Sequence, residues 1–220
     1  MTRANHGILF LDELTETPRH VLDTLREPLE SGTVCISRAQ QQTTFPARFQ
    51  LICALNPSPC GTFNGDIRSS RSTPDQILKY LSKVSGPFLD RIDLQVDVPR
   101  QPDALRDAHQ QTKSAKMASQ SLQEKVVAAQ QRQLERQGCL NRNLSVRLLT
   151  EVAVLSDEDH EFLVSAMERL QLSHRAFHRT LRLARTIADL SGEERLRREH
   201  LLEALSYRAL DNLLTQLRDL

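Results

Sequence analysis

Two adjacent carboxylates, Asp12 and Glu13, directly follow four bulky apolar residues, Ile8-Leu9-Phe10-Leu11. An apolar run without polar alternation predicts a strand buried on both faces, as in a parallel α/β sheet. Ligands of such sheets bind just beyond the carboxyl ends of the strands, where these two acids fall. There an Asp can help hold a magnesium ion on a nucleotide and a Glu can polarise an attacking water. That is the layout of a Walker B site. A buried strand ending in two solvated acids fits the same residues. The complementary phosphate loop, Gly-x-x-x-x-Gly-Lys-Ser/Thr, is not found in these 220 residues. None of the five lysines, Lys79, Lys83, Lys113, Lys116 and Lys125, follows a glycine.

A second set of candidates is basic. At about 100° per residue, Arg175, Arg179 and Arg182 share one helix face with His178 at its margin, opposite Phe177, Leu181, Ala184 and Ala188. Such a guanidinium stripe suits phosphate contact, and a solvated basic face fits equally. Asn56, before Pro57, reads as a polar residue at a strand end or as an ordinary turn residue. Arg91 lies between Asp90 and Asp93 and could simply pair with either. The four cysteines, Cys35, Cys53, Cys60 and Cys139, form no C-x-x-C pair. No disulfide framework is expected, and Cys53 reads as a small buried hydrophobe.

The elements that must position these residues fall into two parts. Residues 1–99 read as α/β. Pro18 opens a helix with Val21, Leu22, Leu25 and Leu29 on one face and Gly32 as its stop. Thr33–Ser37 and Thr43–Phe49 form a hairpin. Leu51–Leu55 is a second apolar strand ending at Asn56-Pro57. Ser58–Thr73 is loop, and Pro74 opens a helix to about Val84. Asp93–Val98 alternates as a third strand. Residues 100–123 read as a polar linker or solvated helix. Residues 124–220 are helical throughout, with Gly138 and Gly192 as stops and Ser145, Ser156 and Ser173 as caps. Leu201, Leu205, Leu213 and Leu217 mark the last helix.

Composition narrows the partners. A formal net charge of +1 gives no whole-chain pull toward nucleic acid or membrane. Aromatics at 4%, with no Trp, argue against a stacking platform for single strands. The first residues carry no apolar signal core and no stretch approaches a membrane span. A cytoplasmic protein with no membrane partner is expected.

Several motifs then line up in order: Gly7-Ile8-Leu9-Phe10-Leu11-Asp12-Glu13-Leu14, Leu25-Arg26-Glu27-Pro28-Leu29-Glu30, Ile36-Ser37-Arg38-Ala39, Phe45-Pro46-Ala47-Arg48-Phe49 and Asn56-Pro57. Gly86-Pro87-Phe88-Leu89-Asp90-Arg91-Ile92-Asp93-Leu94 follows, then Arg175-Ala176-Phe177-His178-Arg179 and Ala184-Arg185-Thr186-Ile187-Ala188-Asp189-Leu190. From near residue 3 to near residue 210 the chain resembles the carboxyl-terminal half of ComM-type competence proteins. These are magnesium-chelatase-like AAA+ ATPases, relatives of the chelatase I subunit and of minichromosome-maintenance helicases. The resemblance implies a partial AAA+ α/β core, with parallel strands and a β-hairpin insertion, followed by an all-α helical lid bundle.

It also implies ATP and Mg2+ as cofactors, in a nucleotide site shared between subunits of a ring such as a hexamer. Asp12 and Glu13 are then the Walker B pair, Asp12 acting on the metal through the nucleotide. Asn56 matches sensor 1 and Arg91 the arginine finger. Arg175 matches the lid arginine of sensor 2, with Arg179 a neighbouring candidate. Arg38, in the hairpin, is a DNA-contact candidate. The parent activity implied is ATP-driven DNA remodelling or branch migration, with a homo-oligomeric ring or an amino-terminal half as partner. Without Walker A these residues are expected to be inactive alone. Two alternatives stand beside this: a non-catalytic module supplying Arg91 in trans, and a chelatase-type ATPase subunit. Family members often carry four cysteines in the loop after sensor 1; here the matching positions are Ser58, Cys60, Ser70 and Ser72. One thiolate cannot build a four-coordinate site, so no zinc is expected.

Overall fold

The computed structural model describes residues 1–38, 41–61, 71–98, 111–170 and 172–218. The chain forms two compact units. One runs from Met1 to Ile92 and includes the last residues from Gln216; the other is Asp93–Thr215.

The first unit is built on strand β1 (Ile8–Leu11) and strand β4 (Gln50–Cys53), which pair in parallel with Leu11 opposite Cys53. Between them come α1 (Arg19–Thr24), α2 (Arg26–Ser31) and the antiparallel hairpin of β2 (Thr33–Arg38) and β3 (Gln41–Pro46). The expected single helix after Pro18 is two short ones, broken at Leu25, which closes α1 and opens α2. Gly32 does stop α2. It adopts a left-handed φ of 71°, and its N–H donates to the Pro28 carbonyl. Helices α3 (Pro74–Leu81) and α4 (Gly86–Leu89) complete the unit. Thr73 and Gln76 cap α3 reciprocally, which explains its sharp start after the loop. Leu14, Leu22, Leu25, Ala47, Ile77, Leu81 and Phe88 are buried here.

The expectation that β1 is buried on both faces is overturned. Ile8 and Phe10 are 61% and 58% exposed. They lie on one face of the strand, and Ile52, opposite Phe10 in the register, is exposed beside them. Among the described residues that face is left largely open. The third strand is also corrected. Asp93–Val98 makes one isolated parallel bridge, Gln95 with Arg208, and no ladder. Its alternation leaves Leu94, Val96 and Val98 exposed, because the backbone of Gln95 bonds the Tyr207 carbonyl rather than a strand.

The second unit is helical: α5 (Gln111–Gln137), α6 (Val146–Val152), α7 (Asp157–Arg169), α8 (His174–Ser191) and α9 (Arg198–Ser206), with α10 (Ala209–Arg218) closing the chain. Helix α5 begins well before residue 124; residues 99–110 lie outside the described ones. The caps fall where the sequence puts them. Ser145, Ser156 and Ser173 each accept a backbone N–H three residues on, and Gly138 and Gly192 are left-handed. The expected last helix is two, α9 and α10, separated at Tyr207-Arg208. A core of Leu144, Leu149, Leu163, Ala176, Leu181, Ala184, Ala188 and Leu201 holds the unit together. No helix among the described residues is long and apolar enough to cross a membrane.

Candidate functional site

Strand pairing brings Asp12, Glu13 and Asn56 to one rim. The ladder continues past the paired strands: Ala54 N–H donates to the Leu11 carbonyl and Leu14 N–H to the Ala54 carbonyl, each at 2.9 Å. The two acids therefore leave β1 level with the end of β4, and Asn56 follows two residues beyond Ala54. All three side chains are exposed. Exposed carboxylate oxygens are hard donors of the kind magnesium prefers, in sites that keep several waters, so Asp12 and Glu13 fit that ion chemically.

The loop carrying the acids is shaped by more than the strand. Glu13 is left-handed, with φ 49° and ψ 53°, a conformation that costs an L-residue about 1–2 kcal/mol. Its N–H donates to Asp12 Oδ1 at 2.9 Å, and its carbonyl accepts from Glu16 N–H at 2.8 Å. Leu14 and Thr15 are buried just behind it. Thr15 shares a 2.5 Å hydrogen bond with the Tyr80 hydroxyl, and Lys83 pairs with Glu16 at 3.0 Å. Helix α3 and the residues after it thus hold the acidic turn from behind. No periodicity signals this support, because its contacts lie 65 and 67 residues apart in sequence.

Arg91 does not stand free beside Asp90 or Asp93. Its side chain is 7% exposed; Nη2 donates to Glu30 Oε1 at 2.7 Å and Nη1 to the Pro87 carbonyl. Glu30 ends the Leu-Arg-Glu-Pro-Leu-Glu motif, so two separate sequence motifs meet in one ion pair. Arg38 is the last residue of β2, opposite Gln41 at the turn end of the hairpin.

On α8, Leu181, Ala184 and Ala188 are buried as expected, but the opposite arginines are not a uniform solvated stripe. Arg175 is exposed. Arg179 donates to Asp93 Oδ1 at 2.9 Å, and Arg182 to the Leu144 carbonyl at 3.0 Å. Burial lowers the pKa of Arg182, helped by the Arg179 charge and opposed by Asp93.

The densest polar cluster was not among the sequence candidates. Asp189, fully buried, accepts from Arg136, Arg185 and Asn141. Arg185 also donates to the Glu193 and Glu194 carbonyls, and Arg132 to the Asp189 carbonyl. Burial acts to raise the Asp189 pKa, but hydrogen bonds from Arg136 and Asn141 and the charges of Arg185 and Arg136 outweigh it and hold the carboxyl below its ordinary value. The Arg185–Asp189 spacing of four was the available signal; their burial was not readable.

Two metal possibilities are limited by their donors. Ser58 and Ser72 place hydroxyls 3.3 Å from Cys60 Sγ, so positions matched to family cysteines do converge, but as one thiol and two hydroxyls. Ser70 lies outside the described residues. Glu193, Glu199 and His200 put possible ligand atoms within 4.8 Å of one another. Arg197 engages two of these residues: its guanidinium lies 2.8 Å from Glu193 and its backbone N–H donates to His200 Nδ1.

Residues 1–105 match the family described as magnesium chelatase, subunit ChlI, and residues 116–208 match magnesium chelatase, subunit ChlI C-terminal. The competence protein ComM of Haemophilus influenzae is 46% identical over 217 residues, 99% of this chain and 42% of that protein. An uncharacterized protein of Salmonella typhimurium, YifB, matches with the same identity and coverage. A magnesium-chelatase subunit ChlI homolog of Methanocaldococcus jannaschii is 23% identical over 206 residues, 93% of the chain and 49% of that protein. The chain thus spans well under half the length of ComM.

Proposed function

Because the chain belongs to the magnesium chelatase ChlI family, as a ComM-type member, we propose that it carries the hydrolytic half of an ATP-driven motor that remodels DNA. The observation supporting this best is the common rim of β1 and β4, where Asp12, Glu13 and Asn56 leave adjacent parallel strands. Magnesium-bound ATP supplies the electrophilic terminal phosphate. Asp12 is the residue to hold the metal, Glu13 to take a proton from water, and Asn56 to orient that water. Arg91 serves a neighbouring subunit's site in a homo-oligomeric ring, for which its guanidinium must leave Glu30. Arg175 and Arg179 contact phosphate from the helical unit, and Arg38 contacts DNA from the hairpin. The grip on the β- and γ-phosphates has to come from residues outside these 220.

The test is a chimera joining these 220 residues to the amino-terminal part of the Haemophilus relative. Its steady-state ATP turnover should fall at least about 100-fold in Glu13→Gln, the usual scale for a general base. Turnover indifferent to Glu13 would refute the reading. DNA binding that weakens with salt and with Arg38→Ala supports DNA as the substrate; binding indifferent to both favours a chelatase-type role instead.

A second reading is favoured by the open apolar face of Ile8, Phe10 and Ile52: a module without hydrolysis of its own that assembles with a partner and offers Arg91 in trans. Mixing the chain with the intact relative separates the two. Stimulated ATPase that disappears in Arg91→Ala, from a chain with no turnover, supports the module.

A further inference from the structure

Glu13 occupies the left-handed region between two fixed points. Upstream, the Leu11 carbonyl is tied to the Ala54 N–H. Downstream, Leu14 and Thr15 are each 2% exposed, and three contacts fasten three successive residues. Leu14 N–H donates to the Ala54 carbonyl at 2.9 Å, the Thr15 hydroxyl to the Tyr80 hydroxyl at 2.5 Å, and Lys83 Nζ to Glu16 at 3.0 Å. Left unheld, an L-residue leaves this region for the αR or β wells. Backbone strain of this kind persists only where surrounding contacts over-determine it.

The two side-chain fasteners are unequal. The Lys83 and Glu16 side chains are 48% and 56% exposed, and an exposed pair holds its partners weakly. Thr15 is buried, so its hydroxyl depends on Tyr80; a buried donor stripped of its acceptor is costly. The Lys83 ammonium also lies 5.0 Å from the centroid of the Tyr80 ring, which ties the weaker contact to the stronger. Tyr80 itself stands on α3, whose Ile77 and Leu81 are buried and whose start is capped at Thr73. The acidic turn is thus anchored to a firmly packed helix through one phenol.

We propose that Tyr80 is a positioning residue for the Glu13 carboxylate. By holding Thr15 it keeps Glu13 left-handed and directs its side chain to the rim that Asp12 and Asn56 share. Tyr80 touches no reacting atom. The inference rests on the hydrolysis reading for the task of that carboxylate and for nothing else.

Two measurements test it. In the 220-residue chain, amide hydrogen exchange reports on the turn, because Leu14 N–H bonds Ala54 and Glu16 N–H bonds the Glu13 carbonyl. Thr15→Val keeps the side-chain shape and removes the hydroxyl. It should speed exchange of both amides about tenfold, the scale of one lost hydrogen bond. The Ile77 amide, which bonds the Thr73 carbonyl in α3, should keep its rate. In the chimera with the Haemophilus relative, Thr15→Val and Tyr80→Phe should each lower kcat about tenfold with KM unchanged, as a displacement of a catalytic group by less than about 1 Å does. Tyr207→Phe, the same loss from the other tyrosine, should change neither. In the Glu13→Gln background neither substitution should lower kcat further. If Tyr80→Phe fails to fold by circular dichroism, Thr15→Val carries the test. Unchanged exchange at Leu14 and Glu16 or equal acceleration at Ile77 overturns the proposal. So does a raised KM with kcat intact, or an undiminished fall in the Glu13→Gln background. Turnover indifferent to Glu13, with the turn loosened by Thr15→Val, removes the hydrolysis reading alone; Glu13-dependent turnover that ignores Thr15 and Tyr80 removes this inference alone.

Discussion

In the α/β unit, Asp12 and Glu13 stand exposed at a strand end and the apolar face of Ile8, Phe10 and Ile52 is open to solvent. In the helical unit the order is reversed. Leucines and alanines close around a continuous core, and the most important carboxylate, Asp189, is buried among guanidinium groups and carbonyls. The first unit presents reactive groups and unfinished apolar surface. The second supplies a finished scaffold whose buried charges fix one helix, α8, in register. The first unit keeps its polar chemistry outside; the second satisfies its charges within.

The largest expected effect tests the scaffold. Asp189→Ala leaves Arg185 buried without its carboxylate, and the helical unit should lose about 3–5 kcal/mol, the usual cost of stranding one partner of a buried pair. Urea unfolding followed by far-ultraviolet circular dichroism measures it; a loss near zero would mean that the cluster is hydrated in solution. The same residue sets an acid limit. Its folded pKa lies below its unfolded value, about 3.9, so its contribution is complete above that value and is lost as pH falls through the folded pKa. Asp189→Asn should flatten the fall in stability below about pH 4.

The next experiment sets the two apolar surfaces against each other. Leu201→Ala, in the closed core, should cost about 2–5 kcal/mol. Phe10→Ser, on the open strand face, should change stability by no more than about 0.5 kcal/mol, as other exposed positions do. Equal costs would show that the sheet face is covered in solution, for example by a second copy of the chain.

The smallest effect concerns the strained glutamate. Glycine tolerates the left-handed region that Glu13 occupies, at an entropic cost of its own, so Glu13→Gly should leave stability unchanged or raise it by up to about 1 kcal/mol. In the chimera the same substitution should remove ATP turnover. A clear loss of stability instead would mean that the Glu13 side chain is structural.

Much of this was legible before any coordinates. The end of β1, the hairpin, the serine caps at 145, 156 and 173 and the stops at Gly138 and Gly192 depend on the residue itself and its nearest neighbours along the chain. The failures have one cause. Asp93–Val98 alternates like a strand, but alternation says nothing about which backbone will pair with it, and Gln95 found Tyr207. Continuous hydrophobicity in β1 implies two covered faces, but not that these residues contain both covers. Arg91 could pair with the acids beside it on spacing alone, and the fold gives it Glu30, 61 positions away. Arg179 and Asp93 are 86 apart.

Residue type and short-range spacing thus determined the strand end that bears the acids and the helix that bears the arginines, because strand ends, caps and helix faces are set by interactions within a few residues, while motifs in order carried the family resemblance. Only the tertiary structure decided which charges are exposed at the rim, which are buried around Asp189, and which arginine is already held by an acid of its own chain. Those outcomes depend on desolvation and on partners far apart in sequence, which no local pattern encodes.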